Sequence, residues 1–465
     1  MKKNIALYFA LLIVVFAGFS CSDDEDNNIQ TSPYAYISSF TLGNLSVPFH
    51  DVTADDKDTI VYKTVAGSEY KFVVDHNNHV IYNKDSLTYG TDVSKLTTSL
   101  SYKGVPYIYS NEAEDFVYYY SVDSIDFTSP VKVRVRSTDA TYDNDYIVKV
   151  NVHQVDPDLM VWAESASDAL ADITPLRLVE KGGVLYLFGD KEGEAVVATA
   201  TADALPLSWR IKSANAPASA DFASLQLLGN LFCVAAEGNL YVSDNAIAWE
   251  NILPGENIVS LIGVCPEIYA DANMGRDMLV AATADKLLYI ADAVYDADGS
   301  YHAHSEPLPE GFPVYNTTYT TSPLATNANI YRSLVVGYPD KEAASGVQVW
   351  GKLSNEQEWS AYTAPDSKYP CPSLNNLAVL PYDGALYAFG GSAGEGDDAI
   401  AAFGNFFVSH DNGIAWRKNN NYAVKLPATL LGQNVPFAAA VVDGKYMWIV
   451  TPQGAWRGFI NRLGF

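Results

Sequence analysis

Cysteine is scarce in this chain, with four in 465 residues, at 21, 233, 265 and 371. That is too few and too scattered for a disulfide framework. Cys233 sits in the apolar run Leu231-Phe232-Cys233-Val234-Ala235, where a thiol behaves as a small hydrophobe, and Cys265 and Cys371 read as core thiols too. Positive charge is also short: Lys and Arg number 29 against 55 Asp and Glu. A nucleic-acid partner would meet repulsion at every phosphate, which excludes that class. The net charge of −26 fits a soluble surface outside a cell. No Walker loop, dinucleotide fingerprint, nucleophile elbow or zinc-protease helix motif is present. Apolar material is plentiful, at 48% hydrophobic with 12% aromatic residues, so the chain can build sizeable cores.

One stretch organises the rest. Gly404-Asn405-Phe406-Phe407-Val408-Ser409-His410-Asp411-Asn412-Gly413-Ile414-Ala415-Trp416 recurs, one residue shorter, as Gly238-Asn239-Leu240-Tyr241-Val242-Ser243-Asp244-Asn245-Ala246-Ile247-Ala248-Trp249. Each copy reads as a strand, a Ser/Asp/Asn turn and a second strand, so the unit is a β-hairpin and its copying implies a repeat architecture. Ser243, Asp244 and Trp249 in one copy, and Ser409, Asp411, Gly413 and Trp416 in the other, are assigned structural roles. Asp and Asn bond the turn's own amides, Gly413 can take positive φ, and Trp fills the gap between stacked sheets. The spacing Ser409-x-Asp411-x-Gly413-x-x-Trp416 resembles the Asp box of sialidase-type β-propellers.

Further glycine phrases extend the repeat. Gly183-Val184-Leu185-Tyr186-Leu187-Phe188-Gly189 recurs as Gly384-Ala385-Leu386-Tyr387-Ala388-Phe389-Gly390, and Asp443-Gly444-Lys445-Tyr446-Met447-Trp448 is a third cousin. The second of these, followed by Gly391, resembles the kelch signature. Trp209-Arg210, Trp416-Arg417 and Trp456-Arg457 share an ending, which places them at equivalent points of separate blades. These offsets fit units of about 50 residues, the length of a four-stranded blade. Residues 158–465 then form a β-propeller of about six blades, with cuts near 176, 219, 257, 314, 374 and 433. Leu159-Met160-Val161-Trp162 is expected to pair with the short last piece and close the ring.

Upstream, residues 34–155 show period-two strands. Val131, Val133 and Val135 alternate with Lys132, Arg134 and Arg136, and Tyr146, Val148, Val150 and Val152 line one face of another. About seven strands at this spacing predict an Ig-like β-sandwich. Leu87-Thr88-Tyr89-Gly90 and Asp126-Phe127-Thr128-Ser129-Pro130 resemble phrases of Ig-like modules in surface lipoproteins, which implies a stalk. Tyr118-Tyr119-Tyr120 is weighed as a sugar platform and read as alternating core and surface residues.

The N-terminus gives location. Met1-Lys2-Lys3 and the apolar run Ile5 to Phe19 make residues 1–20 a signal peptide, too short to span a bilayer. Gly18-Phe19-Ser20-Cys21 resembles a lipobox, which implies lipidation of Cys21. Ser22, Asp23, Asp24 and Glu25 resemble the acidic signal that exports lipoproteins to the outer face of the outer membrane. Residues 21–33 are an acidic flexible tether. The whole arrangement resembles a family of surface lipoproteins of unknown function, with an Ig-like module and a kelch or Asp-box-like propeller.

Chemistry is thinner. A sialidase-like hydrolase needs three converging arginines, for which Arg177, Arg276, Arg332 and Arg462 are the candidates. Asp292, Asp296, Asp298 and Gly299 make an oxygen-rich loop read as a solvated turn, since its spacing does not match a calcium loop. His302 and His304 share a strand side but lack a third zinc ligand nearby. We therefore assign no catalytic residue, no metal and no cofactor. The expected partner is an extracellular glycan or protein, held without catalysis, with the membrane met through the lipid alone and no nucleic acid; the alternatives are a sialidase-like glycoside hydrolase and a scaffold component of a surface complex.

Overall fold

The fold follows from how many faces of each strand are apolar. The computed structural model of the chain describes residues 31–52, 58–265, 277–295, 301–324, 326–343, 346–363, 367–394, 396 and 399–464. Among these the structure is all-β, and the helices are short 3₁₀ turns. The chain parts into two compact units, one of residues 1–49 and 60–154, the other of 155–465 with 50–59.

The first unit is a β unit with a six-stranded sheet in the order Phe72–Asp75, Val80–Asn83, Asp143–Lys149, Val131–Arg136, Val105–Ser110, Asp115–Tyr118. Val133, Val135, Tyr146 and Val148 bury into one core, while Arg134 and Arg136 turn outward onto Asp145 and Asp143 at 2.6 and 2.7 Å. Residues about 34–150 hold ten strands rather than seven, and glycine explains part of the difference. Gly104, at φ +111, divides Thr98–Lys103 from Val105–Ser110, and these two halves pair in different sheets. A Cβ at Gly104 would lie 2.5 Å from the Arg136 carbonyl oxygen, so only glycine lets the backbones approach at this corner. One pair is parallel, Val80–Asn83 with Asp143–Lys149, a feature that period-two patterning cannot signal.

The second unit contains six four-stranded antiparallel sheets. From the inside outward, blade one runs Thr174–Lys181, Val184–Lys191, Glu194–Thr201, Arg210–Ser213. The innermost strands of blades two to five are Gln226–Leu228, Ser260–Cys265, Tyr315–Leu324 and Ala378–Tyr382. Blade six takes Ala438–Val442, Tyr446–Thr451 and Gly454–Ile460 from the end of the chain and its outermost strand, Met160–Ala166, from the start. Seven residue pairs, from Met160 with Ile460 to Ala166 with Gly454, make that closure, so the ring has no free edge here.

Each blade is apolar on both faces, which is why strands such as Met278–Ala282 read as unbroken hydrophobic runs. In blade six, Met447 and Ile449 enter the core shared with blade five, whereas Trp448 and Val450 enter the core shared with blade one. Four further cores lie between consecutive blades from one to five. Six sheets thus share six cores in a closed circuit.

Candidate functional site

The repeated phrases resolve into turns. Between the first and second strands of blades one, five and six, Gly182 and Gly183, Asp383 and Gly384, and Asp443 and Gly444 all take positive φ. In blades one and five the pair is the whole two-residue loop, whose geometry needs paired positive φ, and blade six adds Lys445 to the same start.

In the longer motif copy the Ser409 hydroxyl donates to Asp411 Oδ1 at 2.7 Å and accepts from the Gly413 amide at 2.8 Å, and Asp411 Oδ1 accepts from the Ala415 amide at 2.9 Å. Trp416 is 2% exposed, and its indole donates to the Gly413 carbonyl. Gly413 sits at φ +83, with Val349 2.7 Å from a built Cβ. The shorter copy corrects one expectation. Asn245, not Asp244, accepts from the Ile247 and Ala248 amides at 2.9 and 2.8 Å, since the acceptor must stand two residues past the serine. Asp244 is exposed and lends only its carbonyl, to Lys181 Nζ. Trp249 donates to the Ala214 carbonyl and so clips blade two to blade one.

The Trp-Arg endings are not all equivalent. Trp209 and Trp416 stand immediately before the outermost strands of blades one and five, but Trp456 lies within the third strand of blade six. The repeat is in the tryptophan alone: Trp249 and Trp359 hold the same place before Glu250–Leu253 and Ser360–Ala361 in blades two and four. Aligning on tryptophan instead of Trp-Arg would have found Trp359.

Among the reactive side chains, burial pushes the Cys233 and Cys265 thiols up to about 12, which leaves them inert at neutral pH. Sequence reading missed a polar cluster between blades three and four, because its members are scattered over 70 residues. The Glu306 carboxylate accepts from Tyr289 Oη at 2.5 Å, Trp359 Nε1 at 2.8 Å and Lys352 Nζ at 2.7 Å. Burial first, and then the charge on Glu306, hold the Tyr289 phenol well above its ordinary value. His304 stacks on the Tyr289 ring with centroids 4.4 Å apart; the His302 side chain lies outside the described residues. So do Asp296, Asp298, Gly299, Arg276, Cys21, Ser22, Asp23, Asp24 and Glu25.

The sialidase candidates separate. Arg462 is paired with Asp158 at 2.5 Å and with Asp383. Arg332 lies on the second strand of blade four with its Nε buried and unpartnered. Of the three that are described, Arg177 alone lines the axial cavity.

That cavity has a volume of about 400 Å³ and is walled mainly by the inner strands of blades one, four, five and six. Its polar lining comes from Arg177, Tyr315, Asn316, Thr318, Asn375 and Asn376, with Asp340 and Lys341 beside them. Register shifts in the innermost strands fall between Pro175 and Arg177, between Leu261 and Gly263, and between Tyr315 and Thr318. Such bulges re-aim side chains next to functional sites. Asn316 and Thr318 are spent on bracing blade four to blade five, donating to the Leu377 and Val379 carbonyls at 2.8 and 2.6 Å. Asn375 and Asn376 are exposed at the cavity wall. Arg177 donates one hydrogen bond, at 3.4 Å, to Gln226 Oε1. Burial lowers its pKa from the ordinary arginine value, opposed by the charge of nearby Asp221.

Residues 156–465 match the DUF6242 beta propeller domain, and residues 40–150 match the N-terminal domain of the same family, a domain of unknown function. The chain belongs to the DUF6242 family. None of the curated proteins matches it. Among solved structures it is similar to a DUF4623 family protein from Bacteroides eggerthii, at 12% identity, 92% of this chain, 98% of that one and a TM-score of 0.37. It is also similar to virginiamycin B lyase from Staphylococcus aureus, at 10%, 64%, 99% and 0.37. A third is the beta-propeller domain of the Trilobed protease from Pyrococcus furiosus, at 11%, 60%, 91% and 0.30. At these scores none bears on what this chain binds.

Proposed function

We propose that this chain is a surface-anchored lipoprotein whose propeller binds an extracellular ligand, glycan or protein, in its axial cavity without turning it over. The observation that carries the reading is the cavity wall itself. Exposed amides at Asn375 and Asn376 and the guanidinium of Arg177 line one space, with Tyr315 in the same wall. Ligand sites in proteins are concavities of about 300–1,000 Å³ with a few convergent polar groups, and the cavity falls in that range. Amides and hydroxyls exchange hydrogen bonds with neutral polar groups, and an aromatic ring offers a flat apolar face. Anchoring rests on Cys21 and the acidic residues behind it, since multiple acyl chains meet the two-signal requirement for stable attachment.

The test is retention of the purified full chain on a panel of host and dietary glycans and surface proteins, read for binding and for released sugar. Saturable binding with unchanged ligand is expected. Release of sugar that a single Asp, Glu, Tyr or Arg substitution at the cavity abolishes would establish a hydrolase instead. For the anchor, Cys21→Ala should free the protein from membranes, and protease should shave the unaltered protein from intact cells. Resistance to shaving in cells whose other surface proteins are cut would refute surface display.

A further inference from the structure

A guanidinium carries five N–H donors in a fixed fork and no acceptor. At Arg177 one of them meets Gln226 Oε1 at 3.4 Å, long for a hydrogen bond to a charged donor, where about 2.7–2.9 Å is usual. Gln226 cannot turn to help further, because its Nε2 already donates to the Ser224 carbonyl at 3.2 Å and the side chain is buried. Asp221 lies near enough to favour the charge but forms no ion pair with Arg177. The other donors of Arg177 open onto the axial cavity, and among the described residues no protein acceptor meets them.

Contrast with other cations of the molecule sharpens the point. Arg134, Arg136, Lys352 and Arg462 each hold a carboxylate within 2.7 Å. Arg177 is half-buried at the cavity wall, so its unused donors stay accessible to a ligand there. A register shift falls between Pro175 and Arg177, where the inner strand of blade one meets the cavity.

We propose that Arg177 anchors a carboxylate borne by the ligand, with the fork of its guanidinium receiving both carboxylate oxygens. This rests on the axial cavity being the binding site. A carboxylate is favoured over phosphate because Arg177 is one cation partly offset by Asp221, so a monoanion is balanced there while a dianion keeps uncompensated charge. Within a glycan the group is an acidic sugar, whose ring the exposed amides of Asn375 and Asn376 can then orient.

The experiment is isothermal titration of the full chain with D-glucuronate, D-glucose, inorganic phosphate and sulfate, repeated on Arg177→Gln and Arg177→Lys, with melting temperatures alongside. Glucuronate should bind saturably and more tightly than glucose, phosphate or sulfate. Arg177→Gln should weaken it roughly ten- to a hundredfold, the range for lost hydrogen bonds to a charged group, and Arg177→Lys should restore part of that loss. Both variants should melt no lower than wild type. The proposal fails if glucuronate binds no better than glucose or not at all, or if Arg177→Gln leaves its affinity unchanged. Phosphate or sulfate binding more tightly would overturn the carboxylate assignment. A drop in melting temperature for Arg177→Gln would make the residue part of the scaffold. If glucuronate fails these tests while a neutral glycan binds wild type and is lost from an Ala439→Trp variant that fills the cavity, the axial site stands and the carboxylate assignment alone falls.

Discussion

Two polar regions of the propeller are built on opposite terms. Between blades three and four, Glu306 accepts from a tyrosine, a tryptophan and a lysine, and the Lys352 and Glu306 side chains are 16% and 20% exposed. On the axis, Arg177 has one long contact and a cavity in front of it. In the first, the carboxylate is filled by three protein donors from two blades, so its work is to join those blades. The second is unsaturated in the same chain and under the same packing rules. Unfilled hydrogen-bonding capacity next to open space separates site from scaffold here better than residue type does.

This contrast can be broken by substitutions whose effects should rank by saturation. Glu306→Ala should have the largest effect, about 3 kcal/mol of lost stability in chemical denaturation, since it strands Lys352, Trp359 and Tyr289 together. A loss under about 1 kcal/mol would show that the cluster is ornamental. Asp411→Ala comes next, at about 1–3 kcal/mol, through unpaired turn amides. Its sequence counterpart Asp244→Ala should stay within about 0.5 kcal/mol, because Asn245 does the bonding in that copy. Equal effects at 411 and 244 would contradict the turn geometry. At the bottom of the ranking stands Arg177→Gln, with no loss of stability.

Much of this architecture was legible because repeats announce themselves. The copied glycine turns at 182–183, 383–384 and 443–444 mark equivalent hairpins, and the apolar run from Met160 onward pairs with the chain end, as the short last piece and the closing of the ring implied. Glycine-driven sheet switching at Gly104 and the parallel pairing of Val80–Asn83 were not legible, because local alternation carries no information about which strand lies alongside. Asp244 was misassigned because acidic identity was matched where the spacing from the serine decides the role. The candidate site was legible only as one name among four arginines. Nothing local distinguishes Arg177 from Arg332 or Arg462; the difference lies in partners brought from Asp158, Asp383 and Gln226, far away in sequence.

A ligand that enters the axial cavity should be shut out when the cavity is filled. Ala439, a small residue of its wall on the inner strand of blade six, can be replaced by tryptophan and the full-length variant run beside wild type on the same ligand panel, with melting temperature recorded. Wild type should be retained, Ala439→Trp should pass through, and both should melt within a few degrees of each other. Retention of a folded Ala439→Trp variant at wild-type affinity would place the ligand elsewhere on the molecule and contradict binding in the axial cavity.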